Sequence, residues 1–243
     1  MKLVRLSLTL LGVMSLIACQ SPQARHAHAE ATWEGLETLC DLPCWHGLTP
    51  GDSTRQEVGA TLGALDIAAG YQCFDVSEAE EEGQVGGLCT WESRAGQPIW
   101  GGAFYFARDG AEPLIRTTLY LRRPVSLEEG VAHFGEPGAL WAAQVEPGGP
   151  SCRCRAAPPA QAEEDGLDFD LLYPERGLIL SAFGEPPDQG PCLCRLAWID
   201  AITLVGPGSA DDLDGWWREA YGRGLAEEGG LFLGFPGWET PFR

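Results

Sequence analysis

The stretch Thr54-Arg-Gln-Glu-Val-Gly-Ala-Thr-Leu-Gly63 predicts the first helix of the folded part of the chain. Its first and fourth residues form a capping box, in which each side chain accepts a hydrogen bond from a backbone amide at the helix start. Val58, Leu62 and Leu65 follow at helical spacing, so they share one apolar face. The sequence therefore predicts an amphipathic helix that begins at this box.

A second stretch, Ser126-Leu-Glu-Glu-Gly-Val-Ala-His-Phe-Gly135, repeats the pattern 72 positions later. Its first and fourth residues again form a capping box, and Leu127, Val131 and Phe134 form the apolar stripe. Four of the ten positions match in kind between the two stretches. The repeat predicts a second helix and indicates that the chain is built from two similar units.

Each predicted helix is followed by about four short segments with the composition of strands. They are 71–76, 88–92, 100–107 and 114–121, and then 140–145, 167–173, 177–183 and 196–204. In the segment 167–173 apolar residues alternate with aspartates, which indicates an antiparallel sheet with one covered face. The prediction is an α+β fold, in which two tandem helix-plus-four-strand antiparallel units form one sheet with the helices packed on one face, stapled by disulfides.

The N-terminus has the pattern of a lipoprotein signal. Lys2 and Arg5 precede an apolar run over residues 6–17, which is too short to cross a hydrocarbon core of about 30 Å. The run ends in Leu-Ile-Ala-Cys at residues 16–19, which resembles the lipobox of bacterial lipoproteins. The resemblance implies cleavage before Cys19, lipidation of that cysteine and export to a bacterial membrane. Because Gln20 follows, it implies the outer membrane in a host with two membranes.

These patterns divide the chain into five parts. Residues 1–18 are expected to be the signal peptide, and residues 19–32, which are small and polar, a flexible tether. Residues 33–122 and 123–206 are predicted to form the first and second helix–sheet units. Residues 207–243 form an aromatic-rich C-terminal arm.

The charge of the chain excludes several classes of partner. The whole chain has a net charge of −19, and after loss of Lys2 and Arg5 the mature part has 14 basic and 35 acidic residues, or −21. Such a surface repels nucleic-acid phosphates and anionic lipid headgroups. We therefore expect no nucleic-acid binding, and attachment to the membrane through the N-terminal lipid alone.

Eight cysteines remain besides Cys19, and an even number in an exported chain indicates disulfides. The spacing favours the pairs Cys40–Cys44 and Cys73–Cys89, and two bridges between the Cys152/Cys154 and Cys192/Cys194 motifs. The alternative is a tetrathiolate zinc site, or a thiol-redox centre, formed by Cys152, Cys154, Cys192 and Cys194. The C-x-C spacing is tight for zinc and export favours oxidation, so we expect no metal and no cofactor.

Two motifs carry further resemblances. The stretch Pro43-Cys-Trp-His-Gly-Leu-Thr-Pro-Gly51 looks like a loop of uncharacterised exported bacterial lipoproteins. The helix-plus-four-strand layout resembles tandem bacterial inhibitor proteins that block β-lactamases, and small outer-membrane-assembly lipoproteins whose helix begins after a similar loop. These resemblances imply protein–protein interaction without implying a target.

The C-terminal arm contains a group of aromatic residues that are candidates for binding a partner: Trp216, Trp217, Tyr221, Phe235 and Trp238. One interpretation, which we favour, is an arm folded over an open sheet face or the domain edge, because indoles are costly to leave in water. The other is an exposed patch for an envelope protein partner, since Trp and Tyr are common at binding hot spots.

The sequence has no pattern typical of an enzyme. No Gly-x-Ser-x-Gly elbow, phosphate loop or dinucleotide fingerprint is present. His46 and His133 are the histidines of the folded part, and no nucleophile is placed near either by spacing. We therefore predict a lipid-anchored cell-envelope protein that binds a protein partner and has no catalytic residues. The alternative is a zinc-binding or thiol-redox protein that uses the C-x-C cysteines.

Overall fold

The computed structural model describes residues 22–37, 40–76, 85–108, 112–142, 167–184, 197–221 and 231–233. Within these ranges the protein is an α+β fold with one antiparallel sheet. The helices are α1 (Pro22–Glu37), α2 (Arg55–Ala64), α3 (Leu127–Phe134) and α4 (Leu213–Tyr221). The strands are β1 (Ala68–Asp75), β2 (Val85–Ser93), β3 (Ile99–Ala107), β4 (Leu114–Ser126), β5 (Ala139–Ala142), β6 (Leu167–Tyr173), β7 (Leu178–Gly184), β8 (Trp198–Val205) and β9 (Leu231–Leu233).

The nine strands lie in the order β1-β2-β3-β4-β8-β7-β6-β5-β9, and every neighbouring pair is antiparallel. All eight predicted strand segments overlap observed strands, although residues 143–145 and 196 lie outside the described part. The sequence did not predict β9, which pairs with β5 at the far edge. The α+β antiparallel prediction is therefore confirmed at the level of the sheet.

Both predicted capping boxes are present. In α2 the Thr54 N–H donates to Glu57 Oε2 at 2.8 Å, and the Glu57 N–H donates to Thr54 Oγ1. In α3 the reciprocal bonds join Ser126 and Glu129, and the Ser126 hydroxyl also donates to Glu129 Oε2 at 2.7 Å. These bonds satisfy amides that have no partner inside the helix, which fixes where each helix begins.

We expect Ser126→Ala to lower the free energy of unfolding by about 1 kcal/mol, because it removes the acceptor for an orphan amide of α3. Thr54→Ala should cost less, since the Thr54 box is more exposed. Ser126→Asp keeps an acceptor and serves as the control. Urea unfolding midpoints measure the three effects, and a stable Ser126→Ala variant would contradict the role of the cap.

One face of the sheet carries the main core, and α1, α2 and α3 cover it. Each of these helices contributes buried apolar side chains to a single cluster with the sheet. The strands contribute alternate residues, such as Cys89 and Trp91 on β2 and Phe104 and Phe106 on β3. We call the opposite side of the sheet the outer face.

The fourth helix lies on the outer face, over the β5–β8 half. Trp216 and Trp217 of α4 form a second cluster with Leu172, Ile179 and Val205, which alternate with residues of the main core. The expectation that the helices pack on one face is thus met by α1–α3, whereas α4 covers the other side. Its position agrees with the favoured interpretation of the arm as a cover for the sheet.

The flexible tether predicted over residues 19–32 is corrected from residue 22 onward, because α1 begins at Pro22. Ala29, Trp33 and Leu36 lie at helical spacing and are buried in the main core. Alanine favours helix, so the small residues that suggest a linker here support a packed helix instead. The packing of Trp33 and Leu36 fixes α1 to the domain.

Candidate functional site

The outer face is open over the first half of the sheet. Alternation along β1–β4, interrupted by register shifts, directs five large side chains to it, and we call this set the aromatic face: Phe74, Leu88, Trp100, Tyr105 and Tyr120. Phe74 and Trp100 are 46% and 44% exposed, and Thr90 and Glu92 beside them are also exposed. The corresponding side of the β5–β8 half is covered by α4.

Four residues of the aromatic face, all except Phe74, line a groove of about 690 Å³. Trp100 stacks on Tyr120 with ring centroids 5.3 Å apart and an interplanar angle of 24°. The groove reaches the edge strand β1 through Ala69, Gly70 and Gln72. Among the described residues that line it, Glu92 is the one charged side chain. The groove is therefore a broad aromatic surface with a single negative group.

A bulge in β3 directs Trp100 to the aromatic face. The register with β4 shifts between Ile99 and Gly101, so Trp100 and Gly101 do not alternate as in a regular strand. A Cβ at Gly102 would lie 2.6 Å from both Trp91 Nε1 and Thr118 O. Glycine at this position thus allows the buried Trp91 indole to pack directly against β3.

Arg116 of β4 lies beside the groove, against the ring of Tyr105, which lines it. Its guanidinium lies 3.7 Å from the Tyr105 ring centroid and 4.5 Å from that of Tyr221 on α4, and the side chain is buried. These are cation–π contacts. Burial, together with the nearby Tyr105, raises the pKa of Tyr120, and burial raises the pKa of Tyr221. The phenols therefore stay neutral near pH 7 and offer aromatic faces and hydroxyl groups.

Strand β1 is a free edge of the sheet within the described residues, and Ala69–Asp75 is exposed throughout. The predicted disulfide Cys73–Cys89 is present and links this strand to the buried face of β2. Arg55 of α2 donates to Asp75 at 2.6 Å and holds the end of the strand. The edge is thus fixed in place while its outward side remains open.

The loop 40–51 supports the same strands from the core side. The predicted Cys40–Cys44 disulfide closes it, and Trp45 and Leu48 exchange backbone hydrogen bonds at 2.9 Å. The Trp45 ring is fully buried, with centroids 5.0 Å from Trp91 and 5.8 Å from Phe104. The loop motif singled out in the sequence therefore has a packing role beneath the aromatic face.

The aromatic residues predicted to bind a partner lie elsewhere. Trp216 and Trp217 are buried, and Trp216 Nε1 donates to Gly206 O at 2.7 Å. Tyr221 stacks on Trp217 at 4.3 Å. The prediction that these three residues form an exposed patch for a partner is therefore wrong. They pack on the second half of the outer face and cover it. Phe235 and Trp238 lie outside the described residues.

The exposed residues of the aromatic face were not among the residues predicted to bind a partner. The signal available was the alternation of large aromatic residues in β3 and β4, but the bulge at Gly101 prevents simple alternation from assigning Trp100 to a side. Which face stays open also depends on where α4 packs, and no local pattern contains that information.

The two histidines that the sequence analysis considered as candidate bases, His46 and His133, have structural contacts. His133 Nε2 lies 3.2 Å from Glu37 Oε1 and its ring stacks on Trp33, so it joins α3 to α1. His46 adopts a left-handed φ of 51° and lies edge-on to Trp45 at 4.4 Å. Burial lowers the pKa of His46 below its ordinary value of 6.5.

We expect His46 to make the fold less stable at acidic pH. The folded state holds a neutral imidazole with a lowered pKa, so the unfolded chain binds more protons below pH 6.5. The contribution of His46 is therefore fully present above pH 6.5 and is lost as the pH falls below it. His46→Asn, which tolerates a left-handed φ, should flatten the fall in unfolding midpoint between about pH 7 and about pH 5. The exposed His26→Asn is the control, and equal slopes for both variants would contradict this assignment.

No group of three or more metal-binding side chains occurs in the part of the chain that the structure describes. Cys152, Cys154, Cys192 and Cys194 lie outside that part, so the two further bridges and the zinc or thiol-redox alternative remain predictions. Cys19 also lies outside it. Among the described helices, none is long and apolar enough to cross a membrane.

No protein-family model matches the chain, and no curated protein matches it. One solved structure overlaps it, a DUF4309 family protein (YjgB) from Bacillus subtilis subsp. subtilis str. 168. The overlap covers 75% of this chain and 95% of that one, with 14% sequence identity and a TM-score of 0.32. A similarity at this level carries no argument about the fold or the role of this chain.

Proposed function

We propose that this protein is a lipid-anchored, non-catalytic binding protein of the bacterial cell envelope, and that it binds its partner through the aromatic face. The observation that carries the proposal is the contrast between the two halves of the outer face. The β5–β8 half is covered by α4, whereas the β1–β4 half exposes Trp100 and Phe74. Clustered exposed aromatic residues next to a groove are typical of interaction surfaces.

The strand order supports a finer division into two tandem four-strand units. In the sheet, β1 to β4 follow one another from one edge toward the centre. The strands β5 to β8 do the same from the other side, so β4 and β8 are neighbours at the centre. A capped helix precedes each set of four strands. On this division the two units present equivalent outer faces, of which one is filled by the chain itself and the other is left for a partner.

The position of α1 bears on the proposed anchor. If Cys19 carries the lipid, only two residues lie between it and the start of α1 at Pro22, so three peptide steps join them. An extended chain of that length reaches about 10 Å. The domain would then lie close to the membrane surface, and its partner would be a component that reaches the same layer.

Anchoring is tested by metabolic labelling with palmitate in a bacterial host, followed by membrane fractionation. The proposal expects label on the wild-type protein, which should be retained in the membrane fraction. Cys19→Ser should lose the label and appear in the soluble fraction. An unlabelled wild-type protein, or a membrane-bound Cys19→Ser variant, would overturn the anchor while leaving the aromatic face untested by this experiment.

Binding through the aromatic face is tested with a photoreactive phenylalanine analogue in place of Trp100. A matched probe replaces Glu175, an exposed residue on the connection between β6 and β7. The proposal expects a discrete crosslinked envelope protein from position 100 and none from position 175, with loss of the product when Tyr120→Ala is added. Equal or absent crosslinking from the two positions would count against the aromatic face as the binding surface.

A further inference from the structure

No described residue pairs with the backbone along the outward side of β1. Val76 donates its N–H to Gly86 O on β2 at 3.0 Å. In an antiparallel ladder, N–H and C=O groups point to the same neighbour at every second residue. Tyr71, Cys73 and Asp75 therefore point their backbone groups away from β2. The opposed pair Cys73–Cys89, with Cα atoms 4.0 Å apart, fits the close, non-hydrogen-bonded position that this pattern requires.

This edge lacks the features that usually prevent strand addition. Exposed edges are commonly blocked by lysine, proline or an inward charge. The stretch from Tyr71 to Phe74 has none of these, and the irregularity of β1 lies before it, between Ala68 and Gly70. A Cβ at Gly70 would meet nothing within 4 Å. Among the described residues, nothing blocks a further polypeptide segment from pairing with β1 as an added strand.

The charge next to the edge selects the kind of polypeptide. Glu92 lies opposite Gly70 in the β1–β2 register, so no β1 side chain stands between the carboxylate and the free edge. An added strand would run about 10 Å from β2, a distance that a lysine or arginine and a glutamate span together. The neighbouring Trp100 and Tyr120 faces also attract cations.

We infer that the groove takes an extended polypeptide segment that carries lysine or arginine, which pairs with the free edge of β1 and places a basic side chain between Glu92 and the aromatic face. This inference rests on the proposed function and names the chemistry of its partner. A second copy of this chain is disfavoured as the occupant, because each mature copy has 14 basic and 35 acidic residues, a net charge of −21, and two such copies repel each other. Backbone pairing supplies affinity and the side-chain contacts supply specificity.

The probe is a synthetic peptide of alternating lysine and valine, about as long as β1, added to the exported domain. Titration calorimetry gives its affinity, and amide hydrogen exchange followed by NMR gives the contact. We expect new protection at the amides of Tyr71, Cys73 and Asp75, and no binding by the peptide with glutamate in place of lysine. Glu92→Gln should weaken binding about tenfold. Glu175→Gln, which removes one equal charge elsewhere, should leave it unchanged.

Several results would overturn the inference, and they separate it from the proposed function. Binding that Trp100→Ala abolishes, without protection at Tyr71 and Cys73, would keep the aromatic face as a binding surface and reject strand addition. Binding weakened equally by Glu92→Gln and Glu175→Gln would mean attraction to the overall charge only. Protection of β1 that rises with protein concentration alone would identify a second copy, and protection by phosphatidylcholine vesicles would identify the membrane. Absence of any peptide binding, with no discrete envelope crosslink from position 100, would reject both proposals.

Discussion

Trp45→Ala is expected to lower the free energy of unfolding by about 3–5 kcal/mol. The indole is fully buried between the loop 40–51 and the sheet, against Trp91 and Phe104. Its removal loses the transfer free energy of a large side chain and leaves a cavity that the disulfide-closed loop cannot easily fill. Urea or guanidinium unfolding, followed by circular dichroism, measures the loss.

Two matched variants make this result specific. Trp45→Phe keeps an aromatic ring in the site and should lose less stability than the alanine variant. Trp100→Ala removes the same side chain from an exposed position and should change the free energy of unfolding by about 1 kcal/mol or less. A Trp45→Ala variant as stable as Trp100→Ala would show that the loop does not pack beneath β2 and β3.

The second large effect is expected from the disulfide between β1 and β2. Cys73→Ser combined with Cys89→Ala should lower the free energy of unfolding by about 3 kcal/mol, since the bond closes a loop with a sequence separation of 16. The same double change at Cys40 and Cys44, with a separation of 4, should cost about 2 kcal/mol. Thermal and chemical unfolding of the two double variants provides the comparison.

The β1 variant should also show faster amide exchange in β1 than in β4. Strand β1 is an exposed edge, held by one neighbour, by the disulfide and by contacts with α2. Without the bond it should open locally at a lower free energy than the central strands. Unchanged exchange in β1, together with unchanged stability, would mean that the disulfide contributes nothing to holding the groove edge.

Much of the sheet was predictable because its signals are local. The capping boxes at Thr54 and Ser126 mark helix starts through contacts that span three residues. Alternation of apolar residues with aspartates over 167–173 predicts β6, which pairs with β7 in the observed sheet. The bonds Cys40–Cys44 and Cys73–Cys89 join residues that are near in sequence or on adjacent hairpin strands.

The features that define the candidate site depend on contacts over long distances in the sequence. The composition of residues 22–32 suits both a linker and a helix, and only the packing of Trp33 and Leu36 on the core decides between them. The direction of Trp100 depends on a bulge between β3 and β4. Which half of the outer face stays open depends on where α4 packs. It packs over β5–β8, and the local sequence of α4 does not specify that position.

Strands β2 and β3 carry the packed core on one side and the groove on the other. Trp45 and Trp91 fill the core side of β2 and β3, and the groove lies on the other side of these strands. Arg116 and Tyr221 join the groove to α4 at its far side. A partner would therefore meet a surface held rigid from below and at both edges, so binding would cost little ordering of the protein.

The central claim is that the first half of the outer face is open in the folded protein, and hydroxyl-radical footprinting with mass spectrometry tests it most directly. Three tryptophans provide an internal comparison, since Trp100 is 44% exposed whereas Trp45 and Trp91 are 0% and 3% exposed. The account predicts that the folded domain without a partner is oxidised at Trp100 much faster than at Trp45 and Trp91. Oxidation of Trp100 as slow as that of Trp45 would mean that this face is covered by the chain itself, and would contradict the account.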